Sequence, residues 1–147
     1  MNSINHTLWG ATFGRTVGMP VQGAIAGGIA DFATVPIFSY YFIFRKRKKF
    51  NDMPRWIKCW YSFLHNWLFA AVVCGVLTMI NPRFLIFGVA YAWHNVEDAF
   101  VHTDYATPFL YPLWKGKITK FSAYEHKWVQ WIDFLLIVVA NIIIGIP

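Results

Sequence analysis

Four long stretches of this chain run without a lysine or arginine: residues 17–44, 59–80, 84–102 and 129–147. Each is dominated by aliphatic and aromatic side chains. At roughly 1.5 Å per residue, each reaches or nearly reaches a hydrocarbon core of about 30 Å. The pattern predicts an all-α fold, a polytopic membrane helical bundle of about four spans. Ahead of them, residues 1–18 are rich in Gly, Thr and Asn and predict a short interfacial or re-entrant helix. Pro20 suits a helix start. Gly23, Gly27 and Gly28 set small residues along the first span, which permits close helix approach in lipid. Pro36 predicts a kink or break in that span. The second span starts after Pro54, and Asn81-Pro82-Arg83 predicts a tight turn into the third. Residues 103–124, with Pro108 and Pro112, are too polar and interrupted to cross.

The chain has 147 residues, which fits one domain over 1–147. It is 57% apolar and only 14% charged, against about 25% charged in soluble domains. A soluble helical protein would have too few polar residues to cover its outside. The basic run at 45–49, with Arg55 and Lys58, and then Lys115, Lys117, Lys120 and Lys127, holds eleven of the thirteen basic residues; Arg15 and Arg83 are the other two. If the four segments each cross once, both clusters share one side, which the positive-inside rule makes cytoplasmic. Loops 45–58 and 115–127 are then cytoplasmic and can attract anionic phospholipid of the bilayer. Trp56, Trp60, Trp114, Trp128 and Trp131 gather near that interface as an aromatic belt. Basic and aromatic residues do not interleave as a nucleic-acid surface requires, so no nucleic-acid partner is expected.

Cys59 and Cys74 fall on one expected helix about 22 Å apart, too far to bridge each other. Residues 1–16 lack the basic and apolar regions of a cleavable signal peptide. Asn5-His6-Thr7 matches a glycosylation sequon, a short and weak match.

The chemistry concentrates at the end of the third span, His94-Asn95-Val96-Glu97-Asp98, followed by His102 and Asp104. His94, Asp98 and His102 fall at i, i+4 and i+8, on one helix face. Ionisable groups inside a bilayer are costly enough to be functional candidates. His65 on the second span lies at a similar depth on a neighbouring antiparallel helix. Asp31 lies near mid-membrane and can join if Pro36 displaces the backbone, as can His6 if the N-terminal segment folds back. His6, Asp31, His65, His94 and Asp98 would make a mixed nitrogen and oxygen metal site suited to zinc, or to manganese or iron. Glu97 or His102 is then the nearby general base or a partner that orients a ligand. The alternative for His94 and Asp98 is a buried ion pair that locks two helices. The simplest alternative for Glu97, and the reading of Asp104 and Glu125, is a solvated residue at the inner interface, and Asp133 reads as paired with a basic or polar group.

Tyr91-x-x-His94-x-x-x-Asp98, followed by Pro108-Phe109-Leu110-Tyr111-Pro112-Leu113, resembles the signature of YdjM-like inner-membrane proteins. The order of elements is similar over most of the chain: His6 before an apolar stretch, Gly27-Gly28-Ile29-Ala30-Asp31, then Leu64-His65-Asn66. That family is described as membrane-bound metal-dependent hydrolases, distantly similar to zinc-dependent phospholipases C. The resemblance implies His6, Asp31, His65, His94 and Asp98 as metal ligands and a prokaryotic inner (cytoplasmic) membrane location. The sequence departs from it in two places. Asp31 is followed by Phe32 and Ala33, where the family has two acids separated by one residue. Trp60 and Tyr61 stand where the family has a His-Arg pair.

Three functional readings follow. The first is a membrane-bound metal-dependent hydrolase acting on a phosphoester or lipid headgroup at the cytoplasmic interface. The second is a non-catalytic small subunit of a larger membrane assembly, with membrane-protein partners or copies of itself in a homo-oligomer. A third is a haem-binding bundle with His65 and His94 as axial ligands.

Overall fold

A computed structural model describes residues 3–46, 50–101, 110, 111, 113 and 126–145, and its regular elements are all helices. They are α1 (Ser3–Arg15), α2 (Pro20–Ile43), α3 (Arg55–Leu64), α4 (Trp67–Ile80), α5 (Leu85–Val101) and α6 (Lys127–Gly145). Short 3-10 turns cover Phe50–Asp52 and Pro82–Phe84. His102, Asp104, Trp114, Lys115, Lys117, Lys120 and Glu125, and most of the segment 103–124, lie outside the described residues.

Pro20 opens α2 as expected. α1 folds back on α2 as an antiparallel partner, backbone against backbone. A Cβ on Gly10 would strike the Gly23 carbonyl, and one on Gly23 would strike Gly10 and Gly14. One on Gly27 would strike the His6 carbonyl. Glycine is a poor helix former in water, but here the missing side chains bring His6 down onto the middle of α2.

α2 runs unbroken through Pro36, so of the kink or break expected there the break does not occur. The break lies instead in the second apolar stretch, at His65 and Asn66, where α3 and α4 meet with a bend of 48°. Asn66 supports both helix ends. Its Oδ1 accepts from the Phe69 amide at 2.8 Å. Its Nδ2 donates to the Phe63 carbonyl at 2.7 Å and to the Ser62 carbonyl at 3.2 Å. The Tyr91 hydroxyl donates to the Leu64 carbonyl. Polar backbone freed by a break inside an apolar bundle must be satisfied in this way. The bend also puts Cys59 and Cys74 on different helices, where both are free thiols.

α4 and α5 pair through the tight turn at Asn81-Pro82-Arg83, with Cys74 packed on Gly88. α6 runs parallel to α1 and is tied to it at two levels. Asp133 Oδ2 accepts from Asn5 at 2.6 Å and Oδ1 accepts from the Trp9 indole at 2.9 Å. Asn141 donates to Thr12 Oγ1 at 2.7 Å. Asp133 thus has polar partners. Asn5 is only 3% exposed, which removes the sequon as a modification site.

α2 and α6 are each long and apolar enough to cross a membrane, and the bent α3–α4 pair meets the same test as one broken span. The expected third span is the 17-residue α5, which carries Glu97 and Asp98. By length and composition the described helices hold two candidate spans, or three with the bent pair, and α5 does not meet that test. Large apolar side chains such as Ile25, Ile29, Phe32, Leu135 and Ile142 point outward, while His6, His65, His94, Asn95 and Asp98 are buried. That inversion suits a lipid surround.

Candidate metal centre

The five side chains singled out as ligands arrive from different elements and meet at one place. His6 comes from α1, Asp31 from α2, His65 from the α3–α4 break, and His94 and Asp98 from successive turns of α5. Asp98 Oδ1 lies 3.2 Å from His6 Nε2. Its Oδ2 lies 3.4 Å from His94 Nε2 and 3.6 Å from His65 Nε2. Asp31 sits across from it, with Oδ1 at 3.8 Å from His65 Nε2 and Oδ2 at 3.9 Å from His6 Nε2. Asp31 joins the cluster from an unbroken helix, because the glycine contact rather than Pro36 sets its approach.

The other ring nitrogen of each histidine is engaged outside the cluster. His94 Nδ1 is 2.8 Å from the Gly27 carbonyl, and His65 Nδ1 is 3.1 Å from the Tyr61 carbonyl. His6 Nδ1 is 2.7 Å from Glu97 Oε2. Carbonyls and a carboxylate only accept, so each Nδ1 carries the hydrogen and each neutral ring presents an Nε2 lone pair inward. His65 and His94 Nε2 are buried and accept no hydrogen bond among the described residues. Leaving such atoms unsatisfied costs about 1–3 kcal/mol each. Two free lone pairs, joined by a third when His6 gives up its Nε2 proton, face two carboxylates, and imidazole with carboxylate is a donor set for zinc, manganese or iron. His6, His94 and Asp98, and likewise Asp31, His65 and His94, offer atoms close enough together to share an ion.

Burial, the largest influence on His6, would pull its imidazole below the ordinary 6.5. Hydrogen bonds with Asp98 and Glu97 and the charges of Asp98 and Asp31 outweigh it and raise the value to about 10. A proton on His6 thus partly offsets the acids where an ion would otherwise do so.

Glu97 is buried, 7% exposed, rather than a solvated interface residue, and it is turned away from the centre. Its Oε2 holds His6 and its Oε1 accepts from the Trp93 indole at 2.8 Å. Of the two roles expected for it, the geometry gives the orienting one, because His6 stands between Glu97 and the converging nitrogens. His102, the other candidate base, lies outside the described residues. A haem between His65 and His94 is excluded, since the Asp98 carboxylate fills the gap between their Nε2 atoms.

Three supports were not foreseen from the sequence. The Gly27 and Tyr61 carbonyls are backbone atoms that no motif advertises. The Tyr61 ring also stacks on His65, with centroids 4.0 Å apart. Trp93, four residues before Glu97, had a detectable helical spacing.

No protein-family model, curated protein or solved structure matches this chain. The buried His/Asp geometry therefore carries the functional argument. Of the five ligand candidates, His65 and His94 are at most 1% exposed, whereas the Asp31 side chain is 14% exposed. Asp31 is thus the most exposed of the five.

Proposed function

We propose that this chain is a membrane-embedded metal-dependent hydrolase acting on a phosphoester or lipid headgroup. The observation that carries the reading is the convergence of three Nε2 atoms on two carboxylates, with every Nδ1 hydrogen committed elsewhere. His6, Asp31, His65, His94 and Asp98 would hold a divalent ion, zinc best, with manganese or iron as alternatives. Such an ion lowers the pKa of a coordinated water and polarises a phosphoryl oxygen. Glu97 orients His6 through its Nδ1 hydrogen, and the Trp93 indole in turn holds Glu97. The resemblance to YdjM-like proteins in His6, Asp31, His65, His94 and Asp98 supports the same reading.

In the proposed topology α2, the bent α3–α4 pair, α5 and α6 each cross once, and α1 is a re-entrant helix. The carboxyl ends of α2 and α5 and the amino ends of α3 and α6 then share the side of the basic loops. By the charge rule this is the cytoplasmic face of a prokaryotic inner membrane.

Metal analysis of the full chain purified in detergent, paired with turnover of a phosphodiester reporter, tests the proposal. The expected result is stoichiometric metal and metal-dependent hydrolysis, both lost in His94→Ala and Asp98→Asn. Absence of stoichiometric metal, or its retention in both variants, sinks the site. A non-catalytic metal-binding subunit of a membrane assembly is the second reading. It is favoured by the orientation of Glu97, which leaves no additional carboxylate base facing the cluster among the described residues. Tightly held metal without hydrolysis, together with co-purifying membrane partners, would select it.

A further inference from the structure

Between α1, the start of α2 and α6 lies a groove of about 630 Å³, walled by Leu8, Ala11, Phe134 and Val138 and bordered by Arg15 and Asn141. It is separate from the His/Asp cluster. At about 100° per residue, Leu8, Ala11 and Arg15 lie roughly 140–200° around α1 from His6. Arg15 is also about 14 Å along the helix from it.

The groove's polar lining is limited, and Asn141 is already committed. Its Nδ2 donates to Thr12 Oγ1 at 2.7 Å and to the Ile137 carbonyl at 2.8 Å. Arg15, in the last turn of α1, is exposed and makes no ion pair among the described residues. It is one of the two basic residues outside the clusters that flank the other ends of the helices. In a bilayer such a groove does not stay empty, because an empty gap forfeits dispersion contacts along its walls. Water would find almost no partners there. A hydrocarbon chain satisfies the walls, and a guanidinium at the mouth favours a phosphate-bearing anionic headgroup.

We propose that this groove holds an acyl chain of an anionic phospholipid, with its headgroup on Arg15, as a wedge between α1 and α6. The inference rests on membrane embedding and is independent of metal binding. Native mass spectrometry of the full chain in mild detergent, titrated with phosphatidylglycerol or phosphatidylcholine of the same chain length, tests it. One cation near a headgroup predicts about a five-fold preference for phosphatidylglycerol. Arg15→Gln, a change at an exposed position, should remove that preference while bound lipid and metal content persist. Val138→Trp should fill the groove and lower retention of both lipids. Equal binding of the two lipids by the unaltered chain, or a preference that survives Arg15→Gln, overturns the proposal. A chain that stays monodisperse without detergent overturns the embedding and the lipid site together, whatever its metal content.

Discussion

The Gly27 carbonyl oxygen lies 2.8 Å from His94 Nδ1, so a residue with no side chain sets the ring orientation of a ligand candidate on another helix. The same glycine, by lacking a Cβ, admits the His6 backbone. Two of the three imidazoles therefore take their positions from one point on α2.

Gly27→Ala should consequently do more than tighten a helix contact. The new methyl meets the His6 carbonyl and Gly10, so α1 must shift, at an expected cost of about 1–3 kcal/mol. Gly75→Ala is the control, because a Cβ there meets nothing. Thermal melts in detergent and metal content per chain should separate the two variants, with metal lost only in Gly27→Ala. Equal metal content in both would refute the linkage.

Glu97 offers a test of orientation against catalysis. Removing its contact to His6 in Glu97→Ala should weaken metal binding about 10–100-fold. Glu97→Gln should fall between, since an amide oxygen still accepts from Nδ1. Were Glu97 a base facing the centre, Glu97→Gln would instead abolish turnover with metal affinity unchanged. Competition titration with a chelator beside a rate assay distinguishes these results.

Metal binding should strengthen with pH. In the metal-free chain His6 is raised from 6.5 to about 10, against burial, chiefly by hydrogen bonds with Asp98 and Glu97. A folded value above the unfolded one stabilises the fold fully below about pH 6.5, and the contribution is lost as pH climbs through about 10. An incoming ion must displace that proton, so affinity should rise roughly tenfold per pH unit within this window. Calorimetry in buffers of different ionisation enthalpy would count the released proton, and an affinity flat with pH would contradict the assignment.

Asn66→Ala should destabilise the α3–α4 bend. It removes an amino-terminal cap worth about 1 kcal/mol and the donors to the Ser62 and Phe63 carbonyls. Asn66→Asp keeps the cap to Phe69 but not the donors, so its melting temperature should lie between those of the alanine variant and the unaltered chain. If the aspartate variant matches the alanine variant, the cap is not the stabilising half.

Much of the helical plan was legible in the sequence because apolar runs and their punctuation are local signals. Pro20 opens α2, and Asn81-Pro82-Arg83 turns α4 into α5, both within a residue or two of where the pattern puts them. The break at His65 was not legible. No proline or glycine marks it, and it is sustained by the Asn66 side chain and by Tyr91, which is 27 residues from its acceptor Leu64. At Pro36 the reverse holds: of the kink or break that a proline signals, the break is absent, and the helix remains continuous.

The His/Asp set shows the same division. Residue types and the i, i+4 spacing on α5 were enough to name His94 and Asp98, since helix geometry fixes that pair on its own. His6, Asp31 and His65 could be proposed from composition and depth, but nothing local places a residue from the start of the chain beside one near position 98. The Gly10–Gly23 and Gly27–His6 contacts, the bend at Asn66, and the Gly27, Tyr61 and Glu97 acceptors do that. The sequence by itself determined which donors are present and that burying them in so apolar a chain demands a reason. Only the tertiary structure decided that their Nε2 atoms face one another, because ring orientation depends on hydrogen bonds made across helices far apart in the chain.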